Sequence, residues 1–258
     1  MTRSAGIPTS PDVAGTATPE DAAGTPTPPD VAGTATPTDA AGSPTLEDVA
    51  GADYFDENYV DYVAENPERK LELYLDAVRR YAPGAAIFEI GVGKGLFVEH
   101  ATRAGFEVRG CDVNPAGVRE ARERTPGADV RLGTFEEVGD ERCEAVVAFD
   151  VVEHVPDVRG LFSTVHARLR PGGVFCFVCP VTDGPLGVVC RVLDHDPTHV
   201  HMTSRRAWLR LSRSTGFAVA EWTGLLRYLL PFGYYLHLEL PGPLRRISPA
   251  IMVVCRKD

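Results

Sequence analysis

Residues 86–104 restrict the fold more than any other stretch. They read as a short apolar run (AIFEI), a glycine turn (GVGKG) and an amphipathic run (LFVEHATRA). A buried strand that turns on glycines into a helix must carry the chain back over its own sheet, and a parallel strand follows. Gly91, Gly93 and Gly95 allow a tight turn and a close approach of backbone to a ligand, because no Cβ intervenes. The same rhythm continues along the chain. Strands are expected at 107–113, 129–132, 145–151 and 174–179, and helices at 115–124, with Asn114 as N-cap, and 158–169. A helix at 69–81 precedes the first strand, with Leu71, Leu75 and Val78 on one face. A helix at 203–215 follows the fifth strand. Strands at 217–222 and 251–255 are expected as an antiparallel edge pair. The pattern is that of an α/β protein: a mostly parallel sheet with helices on both faces.

The first 50 residues have a different texture. From Pro11 they repeat with a period of nine (PDVAGTATP, EDAAGTPTP, PDVAGTATP, TDAAGSPTL) and hold no large apolar side chain that could offset chain entropy. We expect a disordered tail over 1–50 and one folded domain over 51–258. The net charge of −10 argues against a nucleic-acid surface, which needs clustered Lys and Arg. The six Cys are scattered through apolar runs and read as reduced core residues. Cys176 and Cys179 form a C-x-x-C, but on a strand positions i and i+3 face opposite ways, so the pair reads as core. No apolar run is long enough to span a membrane, no signal peptide is visible, and a cytoplasmic location is expected.

The glycine turn alone does not name a ligand. Leu96 stands where a dinucleotide fingerprint has its third glycine, and Lys94 is followed by Gly95 rather than by Ser or Thr, which excludes a Walker A loop. Asp112, at the end of the second strand, is placed to accept hydrogen bonds from a ribose diol.

These elements, EIGVGKG, GCDVNP, FDVVEHVPD and LRPGG, occur in order over about 200 residues. The chain from Tyr54 onward resembles class I S-adenosylmethionine-dependent methyltransferases of the small-molecule type, and is similar to the ubiquinone-biosynthesis O-methyltransferases. The resemblance implies a Rossmann-like seven-stranded sheet with a reversed C-terminal hairpin, and S-adenosyl-L-methionine as cofactor. It places Glu89, Gly91, Gly93 and Gly95 around the methionine part and ribose, Asp112 on the ribose hydroxyls and Val113 against adenine. Thr134 and Phe135 would flank the adenine, although many relatives carry an acid where Thr134 stands. Asp150 and Val151 would line the methyl-donor pocket.

Methyl transfer is an in-line displacement, so alignment dominates, and a base helps when the acceptor is a hydroxyl. His154, at the carboxyl end of the fourth strand, is the candidate base. Asp150, Glu153 and His154 also resemble the Glu-x-x-Glu-His segment that can hold a divalent cation in the ubiquinone enzymes, with Asp in place of the first Glu; no metal is expected here, and this set is the alternative. His195, His199 and His201 lie in a polar stretch expected to fold over the acceptor. Residues 181–205 and 225–248 are the expected acceptor-side lid and insert. The apolar run Leu225–Leu240 could cap a hydrophobic acceptor, form a homodimer face, touch a membrane surface or extend the core. The functional expectation is methylation of a small-molecule acceptor, hydrophobic if the apolar run caps it, with oxygen as the favoured atom. A non-catalytic cofactor-binding protein and an NAD-dependent oxidoreductase are the alternatives.

Overall fold

The computed structural model describes residues 49–51, 54, 61–138, 142–188, 198–230, 234–240 and 242–258. The expected tail lies outside the described residues as far as residue 48. Helix α1 (Glu68–Tyr81) buries Leu71, Tyr74, Leu75, Ala77 and Val78 along one face, the period-3.6 stripe read from the sequence. Then follow β1 (Ile87–Ile90), α2 (Leu96–Arg103), β2 (Val108–Asp112), α3 (Pro115–Arg124), β3 (Asp129–Leu132) and β4 (Cys143–Phe149). After them come α4 (Val158–Arg168), β5 (Leu169–Pro180), α5 (Arg205–Ser214), β6 (Ala218–Leu230), β7 (Tyr234–Leu240) and β8 (Ala250–Arg256).

Among the described residues eight strands form one sheet, in the order β3-β2-β1-β4-β5-β8-β6-β7. The pairs from β3 to β5 are parallel, and β8 runs antiparallel to both β5 and β6. Two expectations change here. The sheet has eight strands rather than seven, because the apolar run after Thr223 prolongs β6 and returns as β7, in register from Gly224↔Leu240 to Leu230↔Tyr234. The strands expected at 217–222 and 251–255 do form an antiparallel pair, with β8 bonded to both β5 and β6 and β7 added outside them. Strand β5 also begins earlier than expected, at Leu169, which pairs with Cys143; the register then shifts, and the Pro171-Gly172-Gly173 turn becomes an irregularity at the strand's entrance.

The two faces are read most directly along β5. Val174, Cys176 and Val178 pack with the buried faces of α1, α2 and α3. Phe175, Phe177 and Cys179 pack with Val158, Leu161, Phe162 and Val165 of α4 and Trp208 of α5. Cys176 and Cys179 are thus buried on opposite sides, as the period of two requires. Strand order reverses between β1 and β4: the chain leaves β1 toward β2 and β3, and later leaves β4 toward β5. A crevice opens outside the carboxyl ends of strands at such a switch point.

Candidate functional site

The structure has a cleft at that switch point. It is lined by the strand ends: Gly91 and Gly93 after β1, Asp112 and Val113 at β2, Thr134 and Phe135 after β3, and Asp150, Val151 and His154 after β4. Every one of these was singled out from the sequence. Glu89 borders the adjoining cavity, which Gly91 and Asp150 share.

Gly91 has φ 75° and sits against the β4 end; a Cβ there would meet Val151 Cγ2 at 2.3 Å. Gly95, the N-cap of α2 at φ 79°, does not line the cleft. A Cβ on it would fall 2.6 Å from Ala121 Cα, so this glycine serves the packing of α2 on α3.

The Asp112 carboxylate is fixed by its own loop. Oδ2 accepts from Gly93 N at 2.8 Å and Oδ1 from Asn114 N at 2.8 Å. An ionised carboxylate has about four lone-pair directions, so two remain after these bonds. Burial raises the Asp112 carboxyl, and the backbone donors oppose that rise. Asn114 Oδ1 caps α3 by accepting from Ala116 N and Gly117 N, the role read for it from the sequence. Glu89 is buried, and its Oε2 has no hydrogen-bond partner among the described residues. Burial, with the Asp112 charge behind it, raises its carboxyl well above the usual range.

Thr134 N donates to Glu137 Oε2 at 2.8 Å. Phe135 lines the cleft and is anchored from behind, edge-on to Phe88 and under the Arg168 guanidinium.

Asp150 is the one non-glycine residue with positive φ among the described residues, at 57°. Its carboxylate pairs with Lys70 Nζ of α1 at 3.6 Å and with the Arg227 guanidinium of β6. Burial would raise this carboxyl, but the Arg227 and Lys70 cations outweigh it and hold it well below the usual range. His237 of β7 is buried edge-on to Tyr74, and burial together with the nearby Lys70 and Arg227 pushes its pKa down to about 3.

His154 Nδ1 lies 3.2 Å from the Thr198 carbonyl and 2.9 Å from Thr198 Oγ1. A proton on Nδ1 would satisfy the Thr198 carbonyl and leave the lone pair on Nε2. The His199 ring is 4.7 Å from the His154 ring. Donor atoms of Glu153, His154 and His199 all lie within 4.8 Å of one another, a spacing that could hold a cation. Asp150, the first acid of the sequence-derived set, does not belong to that group, because two cations already engage it. Glu153 is buried, and burial, then the Asp150 charge, pushes its pKa up to about 8. His201 is spent on structure: its amide donates to Glu153 O and its Nε2 to the Val155 and Pro156 carbonyls. His195 lies outside the described residues.

Sequence reading missed four contributors. Lys70 and Arg227 hold Asp150, and Val49 and Tyr54 join the cleft wall from the chain's early part. A signal for Arg227 existed, since it is the single charge inside LLRYLL; so did one for Lys70, which flanks an apolar helix face.

Residues 62–221 match the family model described as a methyltransferase domain. The chain belongs to the class I S-adenosylmethionine-dependent methyltransferases. Within that family it is 38% identical over 105 residues to a ubiquinone biosynthesis O-methyltransferase of Paramagnetospirillum magneticum, covering 39% of this chain and 42% of that one. The chain thus spans about two fifths of that relative's length. It is 29% identical over 161 residues to a probable S-adenosylmethionine-dependent methyltransferase of Mycolicibacterium smegmatis, covering 61% of each. A solved methyltransferase from Thermotoga maritima, described as a possible histamine N-methyltransferase, shares the fold with a TM-score of 0.56 at 20% identity, over 74% of this chain and 91% of that one. This methyltransferase differs from the seven-stranded expectation only by β7. Among the described residues no helix is long and apolar enough to cross a membrane.

Proposed function

We propose that this methyltransferase transfers the methyl group of S-adenosylmethionine to a hydroxyl of a small-molecule acceptor, with His154 as the base. The observation that carries the reading is the position of His154 on the wall of the same cleft that Gly91, Gly93 and Asp112 line. The residues fit the cofactor. Glu89 offers a buried carboxyl oxygen without a partner among the described residues, suited to an ammonium group. Asp112 keeps acceptor directions for a ribose diol, Gly91 and Gly93 keep side chains out of the way, and Phe135 with Val113 gives apolar contact for adenine.

When bound, the cofactor supplies an electrophilic methyl on a sulfonium. The protein's task is alignment and proton removal. Thr198 holds the His154 ring, and with the proton on Nδ1 the base is Nε2. Asp150, buttressed by Lys70 and Arg227, supplies a permanent negative charge beside the cleft. Oxygen as the methylated atom is favoured by the names of the ubiquinone relatives and by the base. Leu226, paired with Leu238 in the β6–β7 hairpin and next in the chain to the Arg227 that reaches Asp150, supports a hydrophobic acceptor.

Two measurements test this. Titration with S-adenosylhomocysteine and, separately, with NAD should show binding of the first and not of the second; NAD binding alone would sink the cofactor assignment. A panel of phenolic and aliphatic hydroxyl acceptors with labelled methyl donor should yield methyl ethers. Binding without turnover on any acceptor would favour the non-catalytic reading.

A further inference from the structure

Asn114 makes more bonds than a helix cap requires. It is fully buried. Its backbone N–H holds Asp112 Oδ1, and its Oδ1 caps α3. Its Nδ2 reaches back 65 and 63 residues to donate to Val49 O at 3.0 Å and Gly51 O at 2.7 Å. Tyr54 N then donates to Gly51 O at 3.2 Å, and Val49 and Tyr54 line the cleft, Tyr54 being buried.

We infer that Asn114 is a positioning residue that holds residues 49–51, through its side-chain amide, so that Val49 and Tyr54 wall the cofactor cleft. Ser, Asp and Asn cap helices about equally well, so capping does not explain the choice among them. Asn alone adds two N–H donors on the far side of the same planar group. One side chain therefore couples three parts of the site: the acid read as the ribose ligand, the start of α3, and the segment that brings Val49 and Tyr54 over the cleft. The inference rests on the cleft being the cofactor site only for its effect on ligand release; the latch itself is a property of the protein without ligand.

The test uses the full chain and two variants. Asn114→Asp is isosteric, keeps the cap and replaces both donors by an acceptor; Asn114→Ser keeps the cap without adding charge. In the ligand-free protein, hydrogen exchange in peptides spanning 49–54 should accelerate in both variants, while α3 stays as protected as in the wild type. Unchanged exchange at 49–54, or equal loss of protection in α3, would overturn the latch whatever the ligand does. With S-adenosylhomocysteine, both variants should bind about tenfold more weakly, the change lying in the dissociation rate, as loss of two neutral hydrogen bonds implies. A wild-type dissociation rate in both variants would also overturn it. In a Tyr54→Ala background, Asn114→Asp should add less than about twofold, because its effect runs through the segment; full multiplicative loss would show that it does not. Failure of the wild type itself to bind S-adenosylhomocysteine would instead refute the cofactor reading and leave the exchange result to decide the latch.

Discussion

Arg227 of β6 donates to the carboxylate of Asp150 at the end of β4, a residue 77 positions earlier in the chain. The pair holds Asp150 in a backbone conformation, φ 57°, that side chains other than Asn and Asp rarely adopt. Removing one partner of a buried pair costs about 3–5 kcal/mol. Lys70 remains beside Asp150 at 3.6 Å, so Arg227→Met should cost less than that, measured by urea unfolding near neutral pH. The sign with pH follows from the depressed Asp150 carboxyl. Its contribution is fully present above the unfolded value of about 4 and is lost as pH falls through the folded one. The gap between wild type and Arg227→Met should therefore narrow on acidification below that range. A gap that widened there would contradict the ion-pair account.

The glycines of the turn separate by substitution. Gly95→Ala would place a Cβ against the backbone of Ala121, which cannot yield, at a φ that itself costs about 1–3 kcal/mol. Its thermal midpoint should drop strongly. Gly91→Ala meets only the Val151 side chain, so Gly91→Ala with Val151→Ala should recover part of the lost stability. Calorimetry on the single and double variants reads both effects, and absence of any recovery would show that φ strain alone decides position 91.

Glu89 gives a proton-linked prediction. Its carboxyl is raised by burial and by Asp112, so a bound ammonium group should lower it and release a proton. Affinity for S-adenosylhomocysteine should then rise as pH climbs through the raised value of the ligand-free protein. Calorimetric titration in buffers of different ionisation enthalpy should show this release, and Glu89→Gln should remove it. Buffer-independent heats in the wild type would remove Glu89 from the ammonium site.

His154→Ala should leave S-adenosylhomocysteine affinity near the wild-type value and lower kcat by about 10²–10⁴, the usual worth of a positioned base. Thr198→Val, which removes the Oγ1 contact but not the carbonyl, should have a smaller effect. Wild-type kcat in His154→Ala would leave the base role without support.

Much of this was readable before any coordinates. Periodicity placed α3 and β3 at their observed bounds, and Asn114 was recognisable as a cap because capping involves residues only two and three positions apart. The seven-stranded expectation failed at Leu225–Leu240, where nearly continuous apolar character fits strand, core or cap alike. The sequence Pro-Phe-Gly at 231–233, with two of the residues that punctuate local structure, was the available hint of a hairpin. The alternative metal set Asp150, Glu153 and His154, taken from the resemblance to the ubiquinone enzymes, differs from the cluster the structure brings together: Lys70 and Arg227 engage Asp150, and His199 stands beside His154.

The sequence by itself determined the alternation of strands and helices, the glycine turn with its acid one strand later, and the opposite facing of Cys176 and Cys179 on their strand. These follow from hydrogen bonding and side-chain periodicity within a few residues of one another. Only the tertiary structure decided that β8 lies inside the sheet, that Arg227 meets Asp150, and that Asn114 reaches Val49 and Gly51. Those pairings depend on which strands become neighbours and on where long connections return. Such choices are set by the summed burial of the whole core rather than by any local pattern.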